Sequence, residues 1–445
     1  MKKVLILGAG LVAKPIVRYL LSKNYLVTVA SNTTERALQM IDNHINGNAV
    51  FWEANNEAML DEMISKNDLT VSLLPYTFHL IVAKYCIKSK KNMLTTSYVK
   101  PEMQMLDKEA KEAGIIILNE CGLDPGIDHM SAMRIIDNVH SKGGKIEEFY
   151  SICGALPAPE ASNNPFKYKF SWSPKGVVMA GNNDAKYLRY GNVIDVPTED
   201  LFKNPYKVNF DSLGEMEVYP NRDSISYIDI YGIPEAETVM RGTFRYNGWC
   251  EIIDALKKLK LISYDKMNLE GITYAKFMAI IIGAESSSNI KQKVADYLKI
   301  SIDALPINAM EWLGLFSNKE MNRKEDSSFE ITSDLMIEKM ELGLNERDMV
   351  AMLHTFLASY PDGTKEVIRS RMLDFGTPAT DTSIARTVAL PAAIAAEMIL
   401  GNMINIKGVF RPVIPEIYNP ILNELEKLDI KMHEEYGLPL SANIK

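Results

Sequence analysis

With 445 residues, 47% hydrophobic and 24% charged, the chain is too long for one ordinary core and has a globular balance. A net charge of -8 and a pI near 5.5 argue against a nucleic-acid partner, which would want a basic surface. The four cysteines form no C-x-x-C pair and the six histidines no H-E-x-x-H cluster, so neither a disulfide framework nor a metal is expected.

The chain runs at once into a strand-like segment, without a basic n-region and an apolar h-region. The most apolar later run, 387–400, is interrupted by Pro391 and is too short to span a bilayer. A cytoplasmic chain with reduced thiols and no membrane partner is the expectation.

Residues 3–7 form a short continuous apolar run, as a parallel strand buried on both faces would. A glycine turn follows; then 13–22 reads as a helix and 26–30 as a strand, which makes one βαβ unit. Residues 35–43 and 58–65 read as helices, 69–74 as a strand ending at Pro75, and 78–89 as a helix. A strand at 92–95, a helix at 102–113 and a strand at 115–118 complete the series. Such alternation predicts an α/β chain with a doubly wound parallel sheet.

The character changes after Gly122. Residues 147–239 hold short apolar runs broken by Pro, Gly and Asn, which read as strands and long loops able to carry a substrate pocket. Residues 249–344 are mostly helical in pattern. Segments 350–358 and 366–372 read as a hairpin around the turn Pro361-Asp362-Gly363. A helix rich in small residues is expected at 383–400 and an amphipathic helix at 421–433.

Gly8-Ala9-Gly10-Leu11-Val12-Ala13 follows the first strand and opens the first helix. Gly8 permits the tight turn, Gly10 lets the backbone approach a pyrophosphate, and small Ala13 lets helix and strand pack closely. Free N–H groups and the positive dipole end of the helix then face the phosphates. In this strand–turn–helix setting the loop reads as a nucleotide site rather than a tight turn alone.

The ribose discriminator should follow about twenty residues later, at the end of the second strand. There the chain reads Ser31-Asn32-Thr33, with no acid to hold a ribose 2′-OH or to repel a 2′-phosphate. These side chains can donate hydrogen bonds to that phosphate, and Arg36 can reach it. The reading therefore favours NADP, with NAD as the alternative because no arginine stands beside Asn32. FAD fits less well, since its sites usually also want an acid here.

Seven later segments carry a resemblance. They are Ser72-Leu73-Leu74-Pro75-Tyr76, Thr95-Thr96-Ser97-Tyr98, Gly122-Leu123-Asp124-Pro125-Gly126-Ile127-Asp128-His129, Leu156-Pro157-Ala158-Pro159-Glu160, Lys169-Phe170-Ser171-Trp172-Ser173, Tyr219-Pro220-Asn221-Arg222-Asp223-Ser224 and Arg241-Gly242-Thr243-Phe244-Arg245-Tyr246. In this order they resemble the glutamate-forming saccharopine dehydrogenases, densely from residue 1 to about residue 248. Beyond that the chain is similar only in length and general pattern.

The resemblance implies oxidation of saccharopine with NAD(P) and water to L-glutamate and 2-aminoadipate 6-semialdehyde, reversibly, in lysine metabolism. It implies a homodimer and three structural parts. Residues 1–125 plus 390–445 would be a Rossmann-like dinucleotide-binding domain, and 126–248 plus 346–389 a mixed α+β domain for saccharopine and dimerisation. Residues 249–345 would be a small helical domain.

Saccharopine carries three carboxylates, which suit arginine's planar fork better than lysine. By the resemblance Arg222 and Arg245, with Thr243 and Phe244 beside them, contact the substrate; Arg241 has a structural reading as well. Tyr98, Asp124 and Cys153 line the saccharopine pocket as the residues closest to catalysis, and Ser97 serves both ligands. Leu73, Leu74, Thr96, Leu123 and Pro125 face the coenzyme, and Ser171 and Trp172 the coenzyme or the substrate. Read from the residues alone, Asp124 is rather an Asx-turn residue before Pro125, and Cys153 equally a small buried thiol. His129 reads as a proton carrier or as a packed histidine.

The implied chemistry is amine oxidation at the ε-carbon of the former lysine side, followed by hydration of the imine and collapse of the carbinolamine. No lysine or histidine declares itself as a dedicated base, so water and the substrate amine would carry much of the proton traffic, with Asp124 and Tyr98 positioning them. Two competing readings stand beside this one. One is a related carbon–nitrogen reductase such as carboxynorspermidine dehydrogenase, and the other a non-catalytic NAD(P)-sensing protein.

Overall fold

The computed structural model describes residues 1–444, which divide into two compact units. Among the described residues, the first comprises 1–146 with 358–440 and the second 147–357 with 441–444. Within the first, β1 (Lys3–Leu7), β2 (Leu26–Ser31), β3 (Gly47–Phe51), β4 (Leu69–Ser72), β5 (Asn92–Thr95) and β6 (Ile116–Leu118) alternate with helices. These helices are α1 (Lys14–Ser22), α2 (Thr34–Ile41), α3 (Glu57–Ser65), α4 (His79–Ser89), α5 (Pro101–Gln104), α6 (Asp107–Ala113) and α7 (Ile127–Ser141).

The strands pair in the order β3-β2-β1-β4-β5-β6, and a late strand, Gly408–Phe410, joins β6. Every pairing is parallel. This is the Rossmann order, with its switch point between β1 and β4. Burial follows from composition: Val4, Leu5, Ile6 and Leu7 are closed to solvent on both faces, as a central parallel strand requires. Leu5, Leu7, Leu60, Val82, Met93 and Ile117 share one core cluster.

The amphipathic α1 starts with Pro15 in its first turn and buries Ile16, Val17, Leu20 and Leu21. The helix Ser383–Leu400 lies against α1, β4 and β5 and runs through Pro391. By length and composition it could cross a membrane, yet 78% of it is buried inside the protein. It is a core helix.

Two expected helices need correction, and two strands were not expected. Strand β3 is absent from the sequence reading, because its Gly47-Asn48 start and half-exposed edge position leave little apolar pattern. The expected single helix at 102–113 is two, with a break at Met105 and Leu106. The short parallel strand Gly408–Phe410 also went unread. Finally, the C-terminal helix is Pro415–Glu426 rather than 421–433, since Pro415 fits a first helical turn. Asp429 takes a left-handed φ of 59°, and His433–Leu438 is a strand paired with Lys365–Phe375.

The second unit is built on a mixed sheet. Its strands are β7 (Lys145–Pro157), β8 (Ala185–Arg189), β9 (Asn192–Val196), β10 (Tyr206–Phe210), β11 (Gly214–Pro220) and β12 (Thr238–Arg245). They run in the order β10-β11-β12-β7, with Asp348–Ser359 next and β8-β9 attached to β12. β12 is parallel to β7 and antiparallel to β11. Residues 249–339 are mostly helical, as expected, with one small two-stranded pairing of Lys266–Asn268 with Glu325–Ser327. The expected turn after residue 359 is present, closed by the Tyr360 N–H donating to the Thr364 carbonyl at 3.0 Å.

Candidate active site

In an open α/β sheet, ligands bind at the carboxyl ends of the strands beside the switch point. Gly8 holds φ at +105°, and a Cβ there would lie 3.1 Å from the Leu73 carbonyl oxygen. Only glycine lets the loop after β1 press against the loop after β4. At Gly10 a Cβ would meet nothing within 4 Å, so the backbone is open to an incoming group. Leu11 is exposed, Val12 half-buried and Ala13 fully buried beneath the turn. No side chain of the described residues caps α1, which leaves its first N–H groups for a ligand.

Ser31 ends β2, and its hydroxyl accepts from the Thr33 N–H at 3.1 Å. Asn32 is exposed beside it, and Arg36 is exposed without an ion pair among the described residues. The glycine loop and this uncharged strand end fit a dinucleotide with a 2′-phosphate. Leu73 and Leu74 are half-buried after β4.

The segment after β6 is a closed loop. The Gly122 N–H donates to the Pro125 carbonyl at 3.0 Å, and Ile127 N–H to the Gly122 carbonyl at 2.9 Å. Gly126 holds φ at +149°, and a Cβ there would lie 2.0 Å from the Gly122 oxygen, so no other residue fits. The Asp124–Pro125 bond is cis. Leu123 and Pro125 are buried, while Thr96 packs under Gly122, where a Cβ would be 3.1 Å from the threonine's own. The loop presents the half-buried Asp124 carboxylate, which accepts the Tyr98 phenol at 2.9 Å. The pair expected to flank the reaction is thus joined.

Two further groups support this edge, and the sequence reading passed over both. Glu120, buried and at φ +56°, accepts the Val99 N–H at 2.7 Å and pairs with Arg411 Nε at 2.9 Å. His129 Nε2 lies 2.8 Å from the other carboxylate oxygen. Burial pushes the Glu120 pKa up, but the His129 contact, Arg411 and the Val99 N–H outweigh it and hold the carboxyl below its ordinary value. His129 is fully buried.

The second group is His79, the first residue of α4. Its Nδ1 lies 2.9 Å from Ser72 Oγ, and its Nε2 lies 2.8 Å from Ser97 Oγ and 3.3 Å from Thr95 Oγ1. Burial alone pushes the imidazole down to about 4, so it is neutral at physiological pH. The available signal was a histidine three residues beyond Tyr76, after a strand ending in serine.

In the second unit, Arg245 closes β12 opposite Glu217 of β11. It is 5% exposed. Its Nη1 donates to the Phe244 carbonyl at 2.8 Å, its Nε has no partner, and no acid pairs with it among the described residues. The rings of Tyr168, Trp249 and Tyr219 stand 5.0, 5.2 and 5.7 Å from the guanidinium carbon. Glu217 is occupied elsewhere: it pairs with Lys207 and accepts from the Gly248 and Cys250 N–H groups.

Phe244 is fully buried, and its carbonyl already accepts from Arg245. Thr243 and the buried Cys153 are register partners on adjacent strands. Among the described residues, Ser171 Oγ and Trp172 Nε1 are buried with no hydrogen-bond partner. Arg241 donates to the Tyr227 hydroxyl at 2.8 Å and stacks on its ring at 4.4 Å, consistent with its structural reading.

Arg222 follows Asn221, whose N–H donates to the Arg241 carbonyl at 2.8 Å. Along β12, Arg245 stands farther on than Arg241, a backbone rise of roughly 13 Å at the usual strand spacing. Arg222 takes φ +54° and lines an open cleft of about 630 Å³ with Lys186 and Asp223.

A Rossmann sheet with a glycine loop, and a second unit holding a buried arginine without a counter-ion, define a dinucleotide-dependent oxidoreductase. Residues 4–118 match the saccharopine dehydrogenase NADP binding domain and 122–430 the saccharopine dehydrogenase C-terminal domain. The chain belongs to the saccharopine dehydrogenase family.

It is 38% identical to the L-glutamate-forming, NADP(+) saccharopine dehydrogenase of Schizosaccharomyces pombe, over 98% of this chain and 99% of that one. It is also 38% identical to the mitochondrial alpha-aminoadipic semialdehyde synthase of Mus musculus, over 99% of this chain and 48% of the relative. The apo L-Glu-forming saccharopine dehydrogenase structure from Saccharomyces cerevisiae superposes with a TM-score of 0.90 at 37% identity, covering 98% of this chain and 100% of that one.

Proposed function

We propose that this chain oxidises saccharopine with NADP+ and water to L-glutamate and 2-aminoadipate 6-semialdehyde, reversibly, in lysine metabolism. The observation that carries the substrate assignment is Arg245. A buried guanidinium with no carboxylate partner is costly, and three aromatic rings offset only part of that cost. A substrate carboxylate supplies the missing anion. Saccharopine has three, and Arg222, at a distance along the same strand pair, suits another.

NADP+ supplies a hydride acceptor when bound. Gly8, Gly10 and the uncapped start of α1 suit its pyrophosphate, and Ser31, Asn32, Thr33 and Arg36 its 2′-phosphate. Leu73, Leu74, Thr96, Leu123, Pro125, Ser171 and Trp172 offer surfaces for the rest. On the substrate, loss of hydride from the ε-carbon and a proton from nitrogen leaves an imine. Addition of water gives a carbinolamine, and breaking its carbon–nitrogen bond releases glutamate and the semialdehyde. Tyr98 and Asp124 orient the amine and the water, and Thr243 and Cys153 line the substrate side.

By the same family likeness we propose a cytoplasmic homodimer that binds neither nucleic acid nor membrane. The acidic balance and four buried free thiols support that setting. The three-part division, with residues 249–345 as a separate helical part, belongs to this proposal as well.

The test is spectrophotometric. Purified protein should reduce NADP+ in the presence of saccharopine and more slowly reduce NAD+, with carboxynorspermidine inert. Turnover of carboxynorspermidine alone would favour the related reductase, and coenzyme binding without turnover a sensor.

A further inference from the structure

His79 bridges two neighbouring parallel strands at their ligand ends. Ser72 and Thr95, which hold it, are register partners on β4 and β5. Ser72 leads into the loop of Leu73 and Leu74, and Thr95 into Thr96, Ser97 and Tyr98. The imidazole therefore ties together the roots of the two loops.

Of the three hydroxyls around the ring, Ser72 and Thr95 are buried and only Ser97 is partly open. The Ser97 main chain is fixed at both ends. Its N–H donates to Thr95 Oγ1 at 3.3 Å, and its carbonyl accepts from the Glu120 N–H at 3.1 Å. Among the described residues its side chain makes one hydrogen bond, at 2.8 Å to His79 Nε2. A hydroxyl offers one donor and two acceptor sites, so the ring fixes one direction and leaves the rest for a ligand.

We propose that His79 is a positioning residue that aims the Ser97 hydroxyl at a hydrogen-bonding group of the bound coenzyme or amino acid. Preorganised polar groups of this kind need no reorientation when the reaction occurs. The neutral ring is suited to the task, because one nitrogen donates while the other accepts. The inference rests on the saccharopine dehydrogenase reading and on Ser97 facing a ligand.

Four variants test it: Ser97→Ala, His79→Asn, His79→Gln, and Ser97→Ala combined with His79→Asn. Asparagine can reach Ser72 from the Nδ1 side, whereas glutamine can place an amide near the Nε2 position. For each, kcat, the KM for saccharopine and the KM for NADP+ are measured, with Tm as a separate readout. Ser97→Ala and His79→Asn should each lower kcat/KM about tenfold, the effect of one polar contact. The double variant should be no slower than Ser97→Ala, since both changes remove one interaction. His79→Gln should recover most of the rate.

Additive losses, near a hundredfold in the double variant, would overturn the proposal. So would a His79→Asn protein with lowered Tm and full kcat/KM, or a Ser97→Ala protein with full activity. Absence of saccharopine turnover by the unmodified enzyme would instead overturn the reaction on which the inference rests.

Discussion

The Tyr98 hydroxyl donates to Asp124 Oδ1 across 2.9 Å, joining the loop after β5 to the loop after β6. Each residue is held from outside the pair. Tyr98 precedes Val99, whose N–H is bound by Glu120, and Asp124 rides on the Gly122–Gly126 closure. Tyr98→Phe keeps the ring and removes the bond. We predict a fall of about tenfold or more in kcat with saccharopine while NADPH affinity, read by fluorescence, stays near wild type. Unchanged kcat would detach the pair from the reaction.

Glu120 is the anchor behind Tyr98. Glu120→Ala would strand Arg411 and His129 and free the Val99 N–H, a loss of roughly 3–5 kcal/mol seen as a lower midpoint in urea. The pH dependence has a definite sign. Glu120 is held below its ordinary value in the fold, so its ionised form stabilises above the unfolded carboxyl range, and that contribution disappears as pH falls through the folded pKa. A chemical-denaturation series against pH, wild type beside Glu120→Gln, should diverge above the carboxyl range and converge at lower pH.

His79 acts with the opposite kind of group but the same sense of pH. Its pKa is about 4 in the fold against 6.5 for the free side chain, so the unfolded chain binds the proton first. Stability from this site is complete above about pH 6.5, declines towards pH 4 and then levels. The span is on the order of 3 kcal/mol. In His79→Gln that sloping portion should flatten, and an undiminished slope would assign it to other groups.

Much of the first unit was legible because central parallel strands, buried on both faces, leave unbroken apolar runs such as Val4 to Leu7. The glycine loop was legible for a related reason: Gly8 presses on the Leu73 carbonyl, and the chain tolerates nothing larger there. Edge strand β3 is only partly buried, and the strand at Val409, though buried, is three residues long, too short to leave a pattern. The helix end at Glu426 was misread because Ile430 continues the apolar spacing into a segment that turns instead at Asp429.

In the site, single residues were readable where they stood in motifs, as Asp124 and Arg245 do. Their supports were not, because His79, Glu120 and Arg411 meet only through the sheet. The absence of a declared histidine near the reaction was a limit of reading linear motifs. His79 reaches Ser97 over eighteen positions of chain.

Coenzyme choice should follow the strand end at Ser31. Asn32→Asp places a carboxylate where a 2′-phosphate would lie and suits a free 2′-hydroxyl. The ratio of kcat/KM for NADP+ over NAD+ should fall by about tenfold or more, and Arg36→Ala should lower it in the same direction. An unchanged ratio in both variants would place the 2′-phosphate elsewhere.

Calorimetric titration of saccharopine into NADPH-saturated wild-type and Arg245→Ala proteins tests the substrate assignment most directly. The wild type should bind saccharopine, and the variant should lose affinity by about a hundredfold while still binding NADPH normally. Equal saccharopine affinity in the two proteins would contradict the account.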